Sequence, residues 1–426
     1  MSKQLVHTPE GVRDIYGEEY EKKLLIQDLL HNQIKSYGFH DIQTPTFEFF
    51  DVFSREIGTV PSKELYKFFD KEGNTLVLRP DFTPSIARCA AKYFMEEDIP
   101  LRFCYSGNTF VNNSNLQGKL KESTQMGAEL IGDDSVEADA EMISLVIESL
   151  KATGLKEFQV SIGEIEFFKG ICEEFGIPED TEIELRDLIS NKNYFGAEEL
   201  LSAQNVQKNN IDVFLKVTDI FGSLDDLLEA KKVVRNQRSI RAIERLEKVY
   251  KILCLYQVED YVSFDLGMLS KYNYYTGIIF RAYTYGVGDA IVTGGRYDNL
   301  LDQFGKHSAA IGFMVVIDDL LAAISRQKIT IAMDKKDTVI LYNDAFMKDA
   351  IALANHLRQQ GLQIELIRLN EDKTVARYIA FARDNMMGRI ICMQSDHIYS
   401  IDPSTGEKQE SSMEKLMAYR MKEGMA

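Results

Sequence analysis

Residues 102–132 read RFCYSGNTFVNNSNLQGKLKESTQMGAELIG, the pattern of two strands joined by a long polar hairpin. Phe103 and Tyr105 run into Gly107, and the return limb ends in alternating Met126, Ala128 and Leu130. The tip, Asn112-Asn113-Ser114-Asn115, is turn chemistry. Because strand side chains repeat every two residues, Gln125 and Glu129 point to the same face of the return limb.

Upstream, apolar residues recur at helical spacing from about Glu18 (Leu24, Leu25, Leu29, Ile34, Tyr37) until Gly38 ends the run. Thr75 to Leu78 is a short strand leading into Arg79-Pro80-Asp81-Phe82-Thr83-Pro84. Pro84 suits the first turn of a helix whose buried face is Ile86, Ala87, Ala90 and Phe94. Local sequence leaves two roles open for Asp81 and Thr83, helix capping or ligand contact. Downstream, Asp134 with Glu137 three residues on marks a helix start, and Phe158, Val160 and Ile162 alternate as a strand. From about 166 to 256 the pattern is helical throughout, an insertion with no catalytic spacing. Tyr261 to Tyr283 returns to the sheet. Residues 328–337 are a polar linker, and beyond them strands 338–342, 363–369 and 389–393 alternate with helices 345–360 and 374–385.

Several of these stretches resemble the histidyl-tRNA synthetase family. The hairpin is similar to its motif 2. The segment from Tyr37-Gly38-Phe39 through Thr44-Pro45-Thr46-Phe47-Glu48 to Phe53-Ser54-Arg55-Glu56-Ile57-Gly58 is similar to motif 1, which builds a homodimer interface in that family. Tyr274-Tyr275-Thr276-Gly277, Gly294-Gly295-Arg296-Tyr297-Asp298 and Ala310-Ile311-Gly312-Phe313 resemble further family signatures, the last being motif 3. The resemblance covers about residues 8–325. It implies an α+β fold, a class II aminoacyl-tRNA synthetase-like antiparallel sheet flanked by helices. The expected organisation is a core over 1–327 carrying the helical insertion at about 166–256, and a small α/β C-terminal domain over 338–426.

The same frame departs from the family where ATP would be held. Three arginine positions read Val111, Ser270 and Asp319, the motif 2 glutamate reads Asn113, and an aspartate position reads Asn273. Forked arginine donors stabilise the charge that develops on a transferring phosphoryl group, and losing one such donor costs on the order of 10²–10³ in rate. The amino-acid side is retained. By the resemblance, Asp81 and Thr83 contact an ammonium group; Gln125 and Glu129 join them, and Tyr274 and Tyr275 supply an amphipathic wall for an imidazole.

Composition agrees with a soluble globular protein: 45% hydrophobic and 27% charged residues over 426 positions, enough chain for two or three domains. No apolar run approaches the ~20 residues of a membrane span, and the opening MSKQLVHTPEG has no signal-peptide core, so a cytoplasmic location is expected. Five cysteines and six histidines are scattered without ligand spacing, which points to free thiols and to no metal site. A net charge of -17 weighs against tRNA as a partner, since phosphate-binding proteins usually carry a basic face.

A histidyl-synthetase-like chain without its ATP arginines is similar to the regulatory subunits of short-form ATP phosphoribosyltransferase. That family implies no catalysis by the chain itself, no cofactor, a separate short catalytic subunit as partner, and feedback by histidine in histidine biosynthesis. A divergent histidyl-tRNA synthetase and a synthetase-like binding module with another partner are the alternatives.

Overall fold

A computed structural model describes residues 6–53, 60–113, 120–269, 274–332, 338–370, 372–394 and 397–418, and all counts below refer to these. Ser114, Asn115, Ser270, Asn273 and the 54–58 end of the motif 1-like segment lie outside them. The chain divides into one unit of Met1–Asp14 with Lys23–Thr330 and a second of Ile15–Lys22 with Ile331–Ala426.

Helix α1 (Gly17–Ser36) has Lys23, Ile26, Leu30 and Ile34 buried, all in the part that belongs to the first unit. Strands β1 (His40–Asp41), β2 (Phe47–Phe49), β3 (Lys67–Phe69) and β4 (Thr75–Leu78) lead to helix α2 (Thr83–Tyr93). The long hairpin follows as β5 (Leu101–Phe110) and β6 (Glu122–Ile131), paired from Leu101 with Ile131 to Phe110 with Glu122. Then come α3 (Val136–Ala152) and β7 (Phe158–Glu164). The helix start read at Asp134 is one residue later: Ser135 is the cap, accepting from the Ala138 amide at 3.1 Å, while Asp133 accepts from the Ser135 amide.

The insertion is helical as read. It contains α4 (Ile165–Glu174), α5 (Glu179–Ser190), α6 (Tyr194–Ala203), α7 (Lys208–Thr218), α8 (Leu224–Val233) and α9 (Gln237–Tyr256), with only the two-residue strand β8 (Phe221–Gly222) among them. Strands β9 (Val262–Asp265), β10 (Ile278–Thr284), β11 (Val292–Arg296) and β12 (Ala310–Val316) then complete the sheet, and α10 (Ile317–Arg326) follows. The nine strands run β1-β5-β6-β12-β11-β10-β7-β9-β8. All neighbours are antiparallel except β1 with β5 and β7 with β9.

Strand β6 is buried on both faces from Thr124 to Ile131. An interior strand clothed on two sides can hold polar residues only if they are paired or functional. Its neighbour α2 is secured at the far end by Lys306, whose buried ammonium donates to the carbonyls of Phe94, Met95 and Glu97 at 2.6, 3.1 and 3.1 Å. A cation there satisfies carbonyls at the end of the helix and complements its dipole.

A separate three-stranded sheet, β2-β4-β3, has Glu48 and Val77 buried on one face. Its other face carries Phe47, Phe49, Phe68, Leu76 and Leu78, in register through the pairs Phe47 with Leu78, Phe49 with Leu76 and Phe68 with Leu76.

The second unit has a five-stranded sheet ordered β14-β13-β15-β16-β17. Its elements are β13 (Thr338–Tyr342), α11 (Met347–Gln359), β14 (Ile364–Arg368), α12 (Val375–Asp384), β15 (Arg389–Gln394), β16 (His397–Ile401), β17 (Lys408–Ser411) and α13 (Met413–Met417). The alternating half was read from sequence; β16, β17 and α13 were not. Lys408, Gln409, Glu410 and Ser411 have no apolar alternation to mark an edge strand.

Candidate functional site

Glu129 organises a pocket on one face of the large sheet. Cross-strand pairing sets it opposite Gly312, Gly312 opposite Gly295, Gly295 opposite Ile279, and Ile279 opposite Gly163. Directly opposed residues share a face, so three of the four positions beside Glu129 in this row lack side chains. The floor is therefore backbone. A Cβ on Gly312 would stand 1.6 Å from Glu129 Oε2, one on Gly295 2.8 Å from a Tyr275 ring carbon, and one on Gly127 2.5 Å from the Tyr105 hydroxyl.

The Glu129 carboxyl is 1% exposed. Its Oε1 accepts from the Thr83 hydroxyl at 2.7 Å and its Oε2 from the Tyr297 hydroxyl at 2.6 Å. Burial pushes this carboxyl up to about 8, with the nearby Asp81 charge adding to the rise and the two hydroxyls opposing it. Burial, then the Glu129 charge, likewise raises Tyr105 and Tyr297 well above the ordinary phenol range.

Asp81 and Thr83 sit where α2 begins, and their two roles separate. Asp81 Oδ1 accepts from the Thr83 amide at 3.2 Å, holding the first turn, while the Thr83 hydroxyl is spent on Glu129. Gln125 is buried two strand repeats from Glu129, and its Oε1 has no hydrogen-bond partner; the Tyr105 hydroxyl is also buried without one. The Tyr274 ring lies 4.6 Å from Tyr275 and meets Tyr297 edge-on at 6.1 Å. Phe82 stacks on Tyr105 at 4.4 Å, and the Arg79 guanidinium covers its other side at 3.9 Å. Asp81, Thr83, Glu129, Tyr274 and Tyr275 thus lie close to one another, and Gln125 shares their face of β6.

Two contributors were not singled out. Tyr297 follows the Gly294-Gly295 pair, and that closeness was the available signal. Tyr105 read as an apolar strand residue. On the opposite face of the sheet, towards Asp139 and Arg245, Glu164 at the end of β7 is a second buried carboxyl pushed up to about 8 by burial, with Oε2 unpartnered. Nothing in its local sequence separates it from a surface glutamate.

Val111 and Asn113 follow β5 directly, and Asp319 lies in the first turn of α10. Beside it, the half-buried Asp318 joins three elements, accepting from Lys23 Nζ of α1 at 2.8 Å and from the Thr124 amide of β6 at 2.8 Å. The described side chains best grouped for a metal are His31, Asp41 and Cys104, where Lys35 already supplies Asp41 with a cation at 2.9 Å. Of the five free cysteines, Cys104, Cys172 and Cys392 are buried and Cys89 and Cys254 partly so.

The family model described as histidyl-tRNA synthetase matches residues 11–320. An ATP phosphoribosyltransferase regulatory subunit from Ruminiclostridium cellulolyticum is 41% identical over 98% of this chain and 99% of its own. One from Acetivibrio thermocellus is 39% identical over 98% and 100%. Among solved structures, an ATP phosphoribosyltransferase regulatory subunit/histidyl-tRNA synthetase from Bacillus halodurans superposes with a TM-score of 0.81 at 31% identity, covering 92% of this chain and 99% of that one. A histidyl-tRNA synthetase from Nostoc gives 0.81 at 20% identity over 96% and 98%, a likeness of fold. The chain belongs to the family of ATP phosphoribosyltransferase regulatory subunits, built on a histidyl-tRNA synthetase-like core.

Proposed function

We propose that this chain is the non-catalytic regulatory subunit of ATP phosphoribosyltransferase, acting in the cytoplasm at the first step of histidine biosynthesis. It is required for activity of a short catalytic subunit and confers feedback by histidine. The observation that carries the reading is the Glu129 pocket. A buried carboxyl, a second acidic group at Asp81, the unpartnered Gln125 Oε1 and a tyrosine wall make a site for an ammonium group and an imidazole ring. Asp81, Thr83, Gln125, Glu129, Tyr274 and Tyr275 hold that ligand. With Val111, Ser270 and Asp319 in place of arginines, the ATP side has lost its phosphate-binding groups, so adenylate formation is not expected.

Mixing the purified chain with the short catalytic subunit is expected to switch on phosphoribosyl-ATP formation, and histidine to suppress it. Feedback of this kind requires histidine to bind the two states of the complex with different affinity. ATP–pyrophosphate exchange by the chain alone in the presence of histidine would establish the divergent synthetase instead.

The outer face of the β2-β4-β3 sheet supports a homodimer through the motif 1-like region. Phe47 and Phe49 are 53% and 56% exposed, side by side with Phe68, Leu76 and Leu78, where a solvent-facing strand would carry polar residues. The double substitution Phe47→Ser, Phe49→Ser is expected to halve the mass measured by light scattering. An unchanged mass would place the dimer contact elsewhere.

A further inference from the structure

At the β1 edge of the large sheet, on the face opposite Glu129, the fold gathers a nitrogen, an oxygen and a sulfur donor. His31 and Lys35 stand one turn apart on α1 and so share a side of the helix. Strand β1 pairs with β5 so that Asp41 lies opposite Cys104, and the Ile42 amide donates to the Cys104 carbonyl at 2.9 Å. Asp41 Oδ1 lies 2.5 Å from His31 Nε2 and accepts from the Cys104 thiol at 3.3 Å, while Lys35 Nζ donates to Oδ2 at 2.9 Å. Both donors thus converge on one carboxylate oxygen, and the lysine holds the other. Among the described residues, these are the three side chains whose ligand atoms come within 4.8 Å of one another. Asp41 is 10 residues from His31 and 63 from Cys104, so no spacing in the sequence marks the set.

We infer that His31 Nε2, Asp41 Oδ1 and Cys104 Sγ bind one divalent transition-metal ion of the zinc class. The donor set decides the class: thiolate and imidazole suit zinc and cobalt, whereas magnesium and calcium take oxygen ligands. Bonds of ~2.0–2.3 Å to a tetrahedral ion put its ligand atoms about 3.3–3.6 Å apart. The Sγ to Oδ1 separation is already 3.3 Å, so the main adjustment is for His31 Nε2 to draw back from Oδ1. The His31 side chain is 40% exposed and has room to turn, while Cys104, at 1%, is fixed in its strand. Lys35 stays on Oδ2 and keeps the carboxylate aimed, the kind of support that ligating carboxylates receive. On binding, the Cys104 S–H bond breaks as the metal–sulfur bond forms, and its proton goes to solvent. The neutral imidazole carries its hydrogen on Nδ1, and no oxidation state changes. Two anionic ligands then balance the charge of the ion. Three protein ligands leave a fourth position for water on the side where Asp41 is 61% exposed, which is also the way in. The bound ion ties α1 to the β1–β5 pair.

Titrating the full, untagged chain with Co2+, a spectroscopic substitute for zinc, tests the site. Visible d–d bands and a near-ultraviolet sulfur-to-cobalt charge-transfer band should rise together and saturate at one ion per chain. Zn2+ should abolish both, and excess Mg2+ should leave them in place. Losing a group that merely orients a metal ligand costs roughly 10–100-fold in affinity, so losing a ligand itself should cost at least about 100-fold. Cys104→Ser should therefore remove the charge-transfer band, and His31→Gln should weaken binding by that factor. His31 is partly exposed, so its variant tests the site even where Cys104→Ser fails to fold. Cys89→Ser, at another free thiol, should titrate like the wild type. A charge-transfer band that never appears, that persists in C104S, or that saturates in H31Q at wild-type concentrations overturns the assignment.

Discussion

Replacing Asp139 with alanine is expected to lower the free energy of unfolding by about 3–5 kcal/mol, measured as a shift in the urea midpoint. Asp139 lies on α3 and is fully buried. Its Oδ1 accepts from Arg296 Nε and Nη2 at 3.0 and 2.5 Å, and its Oδ2 from Arg245 Nε at 2.7 Å. One carboxylate thus neutralises a guanidinium from β11 and another from α9. Removing it leaves the 3%-exposed Arg296 with Asp298, at 3.2 Å, as its remaining acidic partner. Glu137→Ala, on the exposed side of the same helix, should shift stability by less than about 0.5 kcal/mol. A comparable loss at both positions would mean that the buried pair contributes nothing specific. Because Arg296 directly precedes Tyr297, the same substitution should also weaken ligand binding.

Gly312→Ala is the second large effect expected, and it acts on the pocket. The new methyl would fall 1.6 Å from Glu129 Oε2 and 2.9 Å from the Ala128 carbonyl oxygen. Strand pairing fixes the backbone on that side, so the carboxyl must swing away and break its bond from Tyr297. Loss of a hydrogen bond to a charged group is worth about 1.5–3 kcal/mol, or roughly 10–150-fold in Kd. Histidine affinity of the chain, followed by calorimetry, should fall by that factor, with overpacking costing about 1–3 kcal/mol of stability. An affinity unchanged from wild type would show that the Glu129 carboxyl does not touch the ligand.

What could be read from the sequence was what local periodicity records. The hairpin showed itself through the approach to Gly107 and the alternation Met126, Ala128, Leu130; the two-residue strand repeat put Gln125 and Glu129 on one face. The start of α2 followed from Pro84, but not that the Thr83 hydroxyl would go to Glu129, 46 residues away. Tyr297, Tyr105 and Gly312 enter the pocket through the register of strands distant in sequence, which no local pattern encodes. Glu164 was hidden for a different reason: an acidic residue between a strand and a helix reads as exposed until the packing around it is known. The polar edge strand β17 escaped because exposure on both faces erases alternation.

The glycine floor also constrains how the pocket can respond. Gly312, Gly295 and Gly127 offer no torsions beyond the backbone, and the backbone there is tied to neighbours in an interior part of the sheet. Glu129, Tyr105 and Tyr275 lie directly against it, on an unyielding surface. Adaptation then belongs to the opposite side, where the first turn of α2 and the Tyr274-Tyr275 pair can shift without breaking a strand ladder. On the function proposed above, the response to a ligand would start in the roof.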